Sequence, residues 1–293
     1  MPGLHTAVLT VLAMLAFAAN SLLCRLALQS YAIDAASFTA VRLVSGALVL
    51  ALVVRLRAPS AAAGRGRWGS AAWLFVYAAA FSLAYLQLPA GVGALLLFGA
   101  VQATMVGVGL WRGERLALRQ WAGLVLALGG LVVLLRPGLS APPWGAAGLM
   151  LLAGVAWGAY SLRGKGAKDP VGVTAGNFLL AAPLALLMWG LMAGQASVSA
   201  AGLAYALCSG ALTSGLGYVA WYAALPQLKA GTAASVQLSV PLLAAIGAVS
   251  LLGESWTLRL SLAGAAILGG IALVVLARPG PQPAVHVAPG RQP

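Results

Sequence analysis

Residues 91–130 read GVGALLLFGAVQATMVGVGLWRGERLALRQWAGLVLALGG, and residues 231–270 read GTAASVQLSVPLLAAIGAVSLLGESWTLRLSLAGAAILGG. The second stretch repeats the first, 140 positions on and without a gap. Gly91, Ala94, Gly107, Gly113, Glu114, Leu118, Arg119, Leu128, Gly129 and Gly130 match Gly231, Ala234, Gly247, Gly253, Glu254, Leu258, Arg259, Leu268, Gly269 and Gly270. That is ten identities in forty positions. Two similar hydrophobic halves in one chain are the pattern of membrane transporters built from internal repeats.

Composition points the same way. Hydrophobic residues make up 62% of the 293 and charged residues 7%, where a soluble domain carries about 25% charged residues. No water-soluble fold of this length hides so much apolar surface, so the bilayer is the solvent. A net charge of +13 would suggest nucleic acid in a soluble protein. Here the basic residues fall between apolar runs rather than on one face, which argues against a nucleic-acid partner. The first apolar run leads to no small-residue cleavage site and reads as a retained helix rather than a signal peptide. Cys24 and Cys208 lie inside apolar runs, one in each half, with no CxxC spacing. Neither a disulfide nor a metal site is expected. Fourteen Arg against three Lys, with abundant Ala and Gly, fit a GC-rich bacterial gene.

A spanning helix needs roughly 20 mostly apolar residues. Ten such runs occur, at about 4–24, 34–54, 69–88, 91–111, 118–135, 144–162, 171–193, 199–223, 230–252 and 258–277. With the N-terminus in the cytoplasm, the cytoplasmic segments hold thirteen Lys and Arg, from Arg55 and Arg65 through Lys165 and Lys168 to Arg278 and Arg291. The opposite side holds three, Arg25, Arg136 and Arg259. The positive-inside rule therefore places both termini in the cytoplasm. The expected fold is all-α: ten transmembrane helices in two five-helix repeats, residues 1–138 and 139–278, with a disordered cytoplasmic tail at 279–293. Five is odd, so the second repeat is inverted relative to the first. Glu114 and Glu254 then fall on opposite sides of the membrane. Such symmetry gives an inward-open and an outward-open form with substrate near the repeat interface.

The chain has four carboxylates, Asp34, Glu114, Asp169 and Glu254, all at span ends or in loops. Its two histidines, His5 and His286, lie near the termini. A proton-coupled pump usually keeps an Asp, Glu or His inside its bundle, and an exporter of organic cations wants a buried carboxylate. A membrane hydrolase needs a nucleophile–base pair or metal ligands. None of these is found, so no enzyme activity, cofactor or metal is expected. Arg42 is the one basic residue well inside a span. It reads either as a contact for a substrate carboxylate, as a gate pair with Asp34, or as a guanidinium bonded to helix-end carbonyls or snorkelling to the interface. Glu114 and Glu254 each follow Gly at the turn before a helix, where an acid suits the N-terminal dipole; a gating ion pair with a nearby Arg is the other reading.

Polar and aromatic side chains inside spans need partners or a wet cavity. Asn20, Ser21, Tyr77, Ser82, Tyr85, Gln102, Trp157, Tyr160, Ser161, Ser214, Tyr218, Trp221 and Gln237 are of this kind. Tyr77, Phe81 and Tyr85 share a face by i, i+4 spacing, as do Ser214 and Tyr218. From this set Asn20, Tyr85, Gln102, Trp157, Tyr160, Ser214, Tyr218 and Gln237 are the expected substrate-binding residues. Trp68, Trp73, Trp111, Trp121, Trp144 and Trp256 read as interface anchors. Pro241 breaks span 9 and Pro183 span 7, so Pro241, with Arg42, is a candidate hinge or gate. The Gly129-Gly130 and Gly269-Gly270 pairs read as sites of close helix packing.

Taken together, ten spans in two halves, Gly113-Glu114 and Gly253-Glu254 before a final helix, and Trp157-Gly158 with Lys165 resemble the EamA-type carriers of the drug/metabolite transporter superfamily. The resemblance covers about residues 4–278. The first half departs from it, with Phe17-Ala18 and Arg25 where a Trp-Gly and a Lys are often seen. The stretch Leu83-Ala84-Tyr85-Leu86-Gln87-Leu88-Pro89-Ala90-Gly91 looks like that of bacterial amino-acid exporters of the aromatic (YddG-like) type. The resemblance implies a central cavity lined by spans 1, 3, 4, 6, 8 and 9, with spans 5 and 10 outside it. The leading expectation is a bacterial inner-membrane exporter of small neutral metabolites, above all amino acids, by facilitated diffusion. A phosphorylated-sugar or nucleotide-sugar exchanger is the second. A non-transporting membrane enzyme or assembly protein is the third.

Overall fold

In hydrocarbon each backbone amide needs a partner within its own segment, so apolar runs of this length become helices. The computed structural model describes residues 3–30, 33–57, 64–136, 141–228 and 230–276. Its helices are α1 (Leu4–Gln29), α2 (Ala35–Leu56), α3 (Trp68–Tyr85), α4 (Ala90–Trp111), α5 (Leu118–Leu135), α6 (Trp144–Gly164), α7 (Pro170–Leu191), α8 (Ala200–Gln227), α9a (Ala230–Gln237), α9b (Ser239–Leu252) and α10 (Leu258–Leu276). Nine of them are long and apolar enough to cross a membrane, and the remaining run is the split pair α9a and α9b. Among the described residues there is no strand, only an isolated bridge between Ile33 and Val198. The expected tail at 279–293 and the boundary between 138 and 139 lie outside the described residues.

The break expected in the ninth span is present, and two other details depart from the expected spans. The ninth span breaks at Leu238, ahead of Pro241, because a proline has no N–H to donate to the carbonyl four residues back, here that of Gln237. Pro183 does not break its span, and α7 runs on through it. Helix α1 continues to Gln29, so Arg25 sits on a helix rather than in a loop.

Helix α8 is irregular. Its α-helical ends, Ala200–Leu207 and Gly217–Ala224, flank a π-helical stretch, Cys208–Leu216, and it closes in a 3-10 turn, Leu225–Gln227. π geometry is rare and tends to occur at functional positions. The stretch packs on α2 at Gly210, where an added Cβ would strike the Arg42 carbonyl oxygen and Ser45 Oγ.

Helix ends explain the repeated Gly-Glu. Gly113 and Gly253 have φ of +87° and +66° and close α4 and α9b in the left-handed conformation that glycine adopts without strain. Asp34 and Asp169 cap the N-termini of α2 and α7. Asp34 Oδ1 accepts from Ala36 N at 3.0 Å and Ser37 N at 2.9 Å, and Asp169 Oδ1 accepts from Gly172 N at 2.9 Å. Asp34 Oδ2 also accepts from Ser197 N at 3.0 Å, tying the start of α2 to the segment before α8. Burial pushes the Asp34 carboxyl up, but the hydrogen bonds from Ser37, Ser197 and Ala36 outweigh it and hold it below the usual carboxylate range.

Packing follows small residues. Helix α5 lies on α10, α2 on α7, α6 against α3 and α4, and α1 against α8 and α9b. Of the glycine pairs, Gly130 and Gly270 sit in the α5–α10 contact, whereas Gly129 and Gly269 face open space. Leu48, Leu52, Val125, Val132, Leu187 and Ile246 are exposed on the outside of the bundle, which suits lipid rather than water.

Candidate functional site

A cavity of about 570 Å³ reaches into the middle of the bundle. Its aromatic wall centres on Trp157. The Trp157 ring lies 4.8 Å from Tyr77, 5.4 Å from Tyr160 and 5.5 Å from Tyr218, with the last pair stacked. Phe17 meets Tyr218 edge-on at 5.6 Å. Such a surface packs well on an apolar or aromatic group.

Polar groups on the wall are held in place. Asn20 Oδ1 accepts from Ser209 Oγ at 2.7 Å and Thr213 Oγ1 at 3.2 Å, linking α1 to the π stretch. Asn177 Nδ2 donates to Tyr160 Oη at 3.4 Å, and its Oδ1 accepts from Arg67 N at 2.9 Å. No carboxylate among the described residues lines the cavity.

Arg42 stands directly behind this wall and is only 1% exposed. Its Nε donates to Ser214 Oγ at 3.2 Å and its Nη2 to Tyr77 Oη at 3.1 Å. Its guanidinium carbon lies 5.2 Å from the Tyr77 ring centre and 5.1 Å from that of Phe81. Nη1 has no hydrogen-bond partner. The side chain therefore neither snorkels nor pairs with Asp34. Asp34 is eight residues earlier, roughly 12 Å along the helix, and is engaged in capping.

The two ends of the cavity differ. One opens beside the α6–α7 turn, where Lys165 and Lys168 join Leu225 and Pro226 at the mouth. The other is sealed beyond Ser21 and Phe81. There Arg25 Nε donates to Glu254 Oε1 at 3.4 Å, and Nη1 donates to the carbonyls of Tyr85 at 3.0 Å and Leu86 at 3.3 Å. Both Glu254 oxygens accept from Ala90 N at 2.9 Å. Glu254 thus sits at a positive helix end, but that of α4, not of the helix following it in sequence. Among the described residues this is the only ion pair.

Of the expected binding residues, Asn20, Trp157, Tyr160, Ser214, Tyr218 and Gln237 line the cavity. Tyr85 and Gln102 do not. Tyr85 is wholly buried beyond the cavity, its hydroxyl donating to the Ala90 carbonyl at 3.3 Å. It shares the Tyr77 face, but two turns of helix carry it past the floor. Gln102 faces α5 and α10, while Val101 beside it faces the cavity. Pro241 flanks the α9a–α9b break. Helices α5 and α10 contribute no lining residue, and α7 adds Thr174 and Asn177. An amide inside an apolar span was the available signal for Asn177.

A bundle of apolar helices with a polar, aromatic cavity that opens at one end is that of a multi-pass membrane transporter. Residues 144–276, nearly half of the chain, match the model of the EamA-like transporter family, which supports the drug/metabolite transporter superfamily. It is 61% identical over 280 residues to the uncharacterized protein PA1977 of Pseudomonas aeruginosa, covering 96% of this chain and 98% of that one. It is also 31% identical over 111 residues to the uncharacterized inner membrane transporter YedA of Escherichia coli, covering 37% of this chain and 36% of that one. A solved crystal structure shares the fold, with a TM-score of 0.65 at 20% identity over 92% of this chain and 96% of that one. Its nine long apolar helices among the described residues make it a multi-pass membrane protein.

Proposed function

We propose that the protein exports small neutral metabolites, above all amino acids with aromatic or apolar side chains, by alternating access and facilitated diffusion. The observation that carries this reading is the cavity: an aromatic wall around Trp157, amides at Asn20 and Asn177, no lining carboxylate among the described residues, and a single open end. The loop charges favour a cytoplasmic mouth at Lys165 and Lys168, so the conformation described is inward-open.

The packing pairs support two inverted halves. Exchanging the first five spans with the last five leaves the α5–α10 and α2–α7 contacts in place. It also turns α6 against α3 and α4 into α1 against α8 and α9b. The same exchange carries Arg25, Glu254 and Ala90 to Lys165, Glu114 and Ala230, each 140 positions away. In the outward-open form that second trio closes the cytoplasmic mouth.

Purified protein in liposomes, loaded with unlabelled solute and tested for counterflow of labelled amino acids and amines, tests the reading. Exchange of apolar amino acids is expected; exchange of none of them would sink it. Phosphorylated-sugar exchange is the second reading, favoured by Lys165 and Lys168 at the mouth.

A further inference from the structure

Arg42 is a buried cation to which the chain supplies no counter-charge among the described residues. Each described carboxylate is engaged elsewhere or lies at the surface: Asp34 and Asp169 cap helices, Glu254 is held by Arg25 and Ala90, and Glu114 is exposed. Removing a guanidinium from water without an anion is costly. Two hydroxyls and two ring faces offset part of that cost, and Nη1 remains unpartnered. The groups that touch the guanidinium, Tyr77, Phe81 and Ser214, are themselves cavity lining.

We infer that Arg42 is the anchor for the substrate's carboxylate, so that the transported solute is a carboxylate-bearing molecule whose anion completes the charge of the bundle. The inference rests on the transport reading above and narrows it to carboxylates. Amines, amides and uncharged solutes of the same shape leave Arg42 uncompensated. One guanidinium edge with a free Nη1 matches the planar, monoanionic carboxylate.

The site is also directional. Eight residues past its capping aspartate, α2 carries Arg42; eight residues past its own, α7 carries Asn177. Both are buried, but only α2 presents a cation. The carboxylate end of the solute therefore faces α2 and its other polar end the neutral side of Asn177, with the apolar side chain against Trp157 and Tyr218. Contact requires Tyr77 and Ser214 to yield their bonds to Arg42. Ser214 lies in the π stretch of α8, a geometry that is rare overall and frequent at functional positions.

The experiment is competition against labelled phenylalanine counterflow in liposomes by phenylalanine, phenylalaninamide, phenethylamine, 3-phenylpropionate and glucose 6-phosphate. Parent protein is compared with Arg42→Gln and Arg42→Lys, each checked for a monodisperse elution profile. In the parent, the two carboxylates should compete at least about tenfold better than the amide and the amine. Arg42→Gln should weaken the carboxylates by a similar factor and bring acid and amide within about threefold, with Arg42→Lys between. The ratio of acid to amide is the decisive readout, since a merely structural arginine would lower overall rate without moving it. Equal competition by acid and amide in the parent overturns the inference, as does an unchanged ratio in a folded Arg42→Gln. Exchange of the amine or amide with no preference for the acid leaves a transporter without this anchor. Stronger competition by glucose 6-phosphate than by either carboxylate also overturns it, and points to the phosphate reading. Absence of exchange by all five solutes refutes the transport reading itself.

Discussion

Replacing Glu254 by alanine should open the sealed end. Glu254 and Arg25 are 11% and 13% exposed, so neither is well served by water. Removing one partner of a buried, hydrogen-bonded ion pair costs about 3–5 kcal/mol. Arg25 keeps two backbone carbonyls as acceptors, which reduces the loss to roughly 2–3 kcal/mol. At 1.36 kcal/mol per tenfold, that shifts the closed-to-open ratio by about 30- to 150-fold. The assay is labelling of Ser21→Cys, on the cavity wall one helical turn from Arg25, after Cys24 and Cys208 are replaced. An impermeant thiol reagent is applied from the Glu254 side. The parent background should react slowly and Glu254→Ala at least tenfold faster. Glu254→Gln should fall between, because an amide oxygen still accepts from Ala90 N but carries no charge for Arg25. Equal rates from that side in parent and Glu254→Ala, with Ser21→Cys reactive from the other side in both, would refute the reasoning.

Trp157→Ala and Tyr218→Ala should each cost roughly 1–3 kcal/mol of substrate binding while membrane expression stays normal; counterflow at the parent rate in both would mean that the cavity wall is not the binding surface. Cysteine at Arg65 should be shielded from an impermeant reagent in intact cells and cysteine at Ala141 should react, and labelling at Arg65 in sealed cells would reverse the orientation. With no Asp, Glu or His on the cavity wall among the described residues, substrate flux in liposomes should persist without a pH gradient and reverse when the substrate gradient reverses. Uphill accumulation driven by an imposed proton or sodium gradient would contradict a uniporter.

The spans were legible because lipid allows few alternatives: an apolar run of sufficient length has to be a helix, and its ends are marked by Gly, Pro and charge. The faces were not. Helices apolar all round carry little record of which side meets lipid, so Gln102 and Val101, adjacent in sequence, could not be told apart. Tyr85 shows a second limit. Periodicity places it on the Tyr77 face but says nothing of how deep the cavity runs, and the seal formed by Arg25, Glu254 and Ala90 ends it one turn short. The π stretch had no warning beyond a cluster of Ser, Thr and Gly, since its geometry answers to the close approach of α2 at Gly210. Arg42 stood out in sequence as the one cation inside a span; its partners, drawn from α3 and α8, are set by tertiary packing alone.

The Ala90 amide is a natural gauge of gating. Pro89 has no N–H, so Ala90 carries the first amide of α4, a group that no carbonyl within the helix can satisfy. Glu254, from the other half of the chain, satisfies it. The bond that shuts one end of the cavity is therefore also the bond that finishes a helix. In the alternating-access cycle proposed above, each opening of that end returns this amide to solvent. Deuterium uptake at Ala90 would then count the fraction of time the carrier spends open on that side, with no label attached and no residue changed.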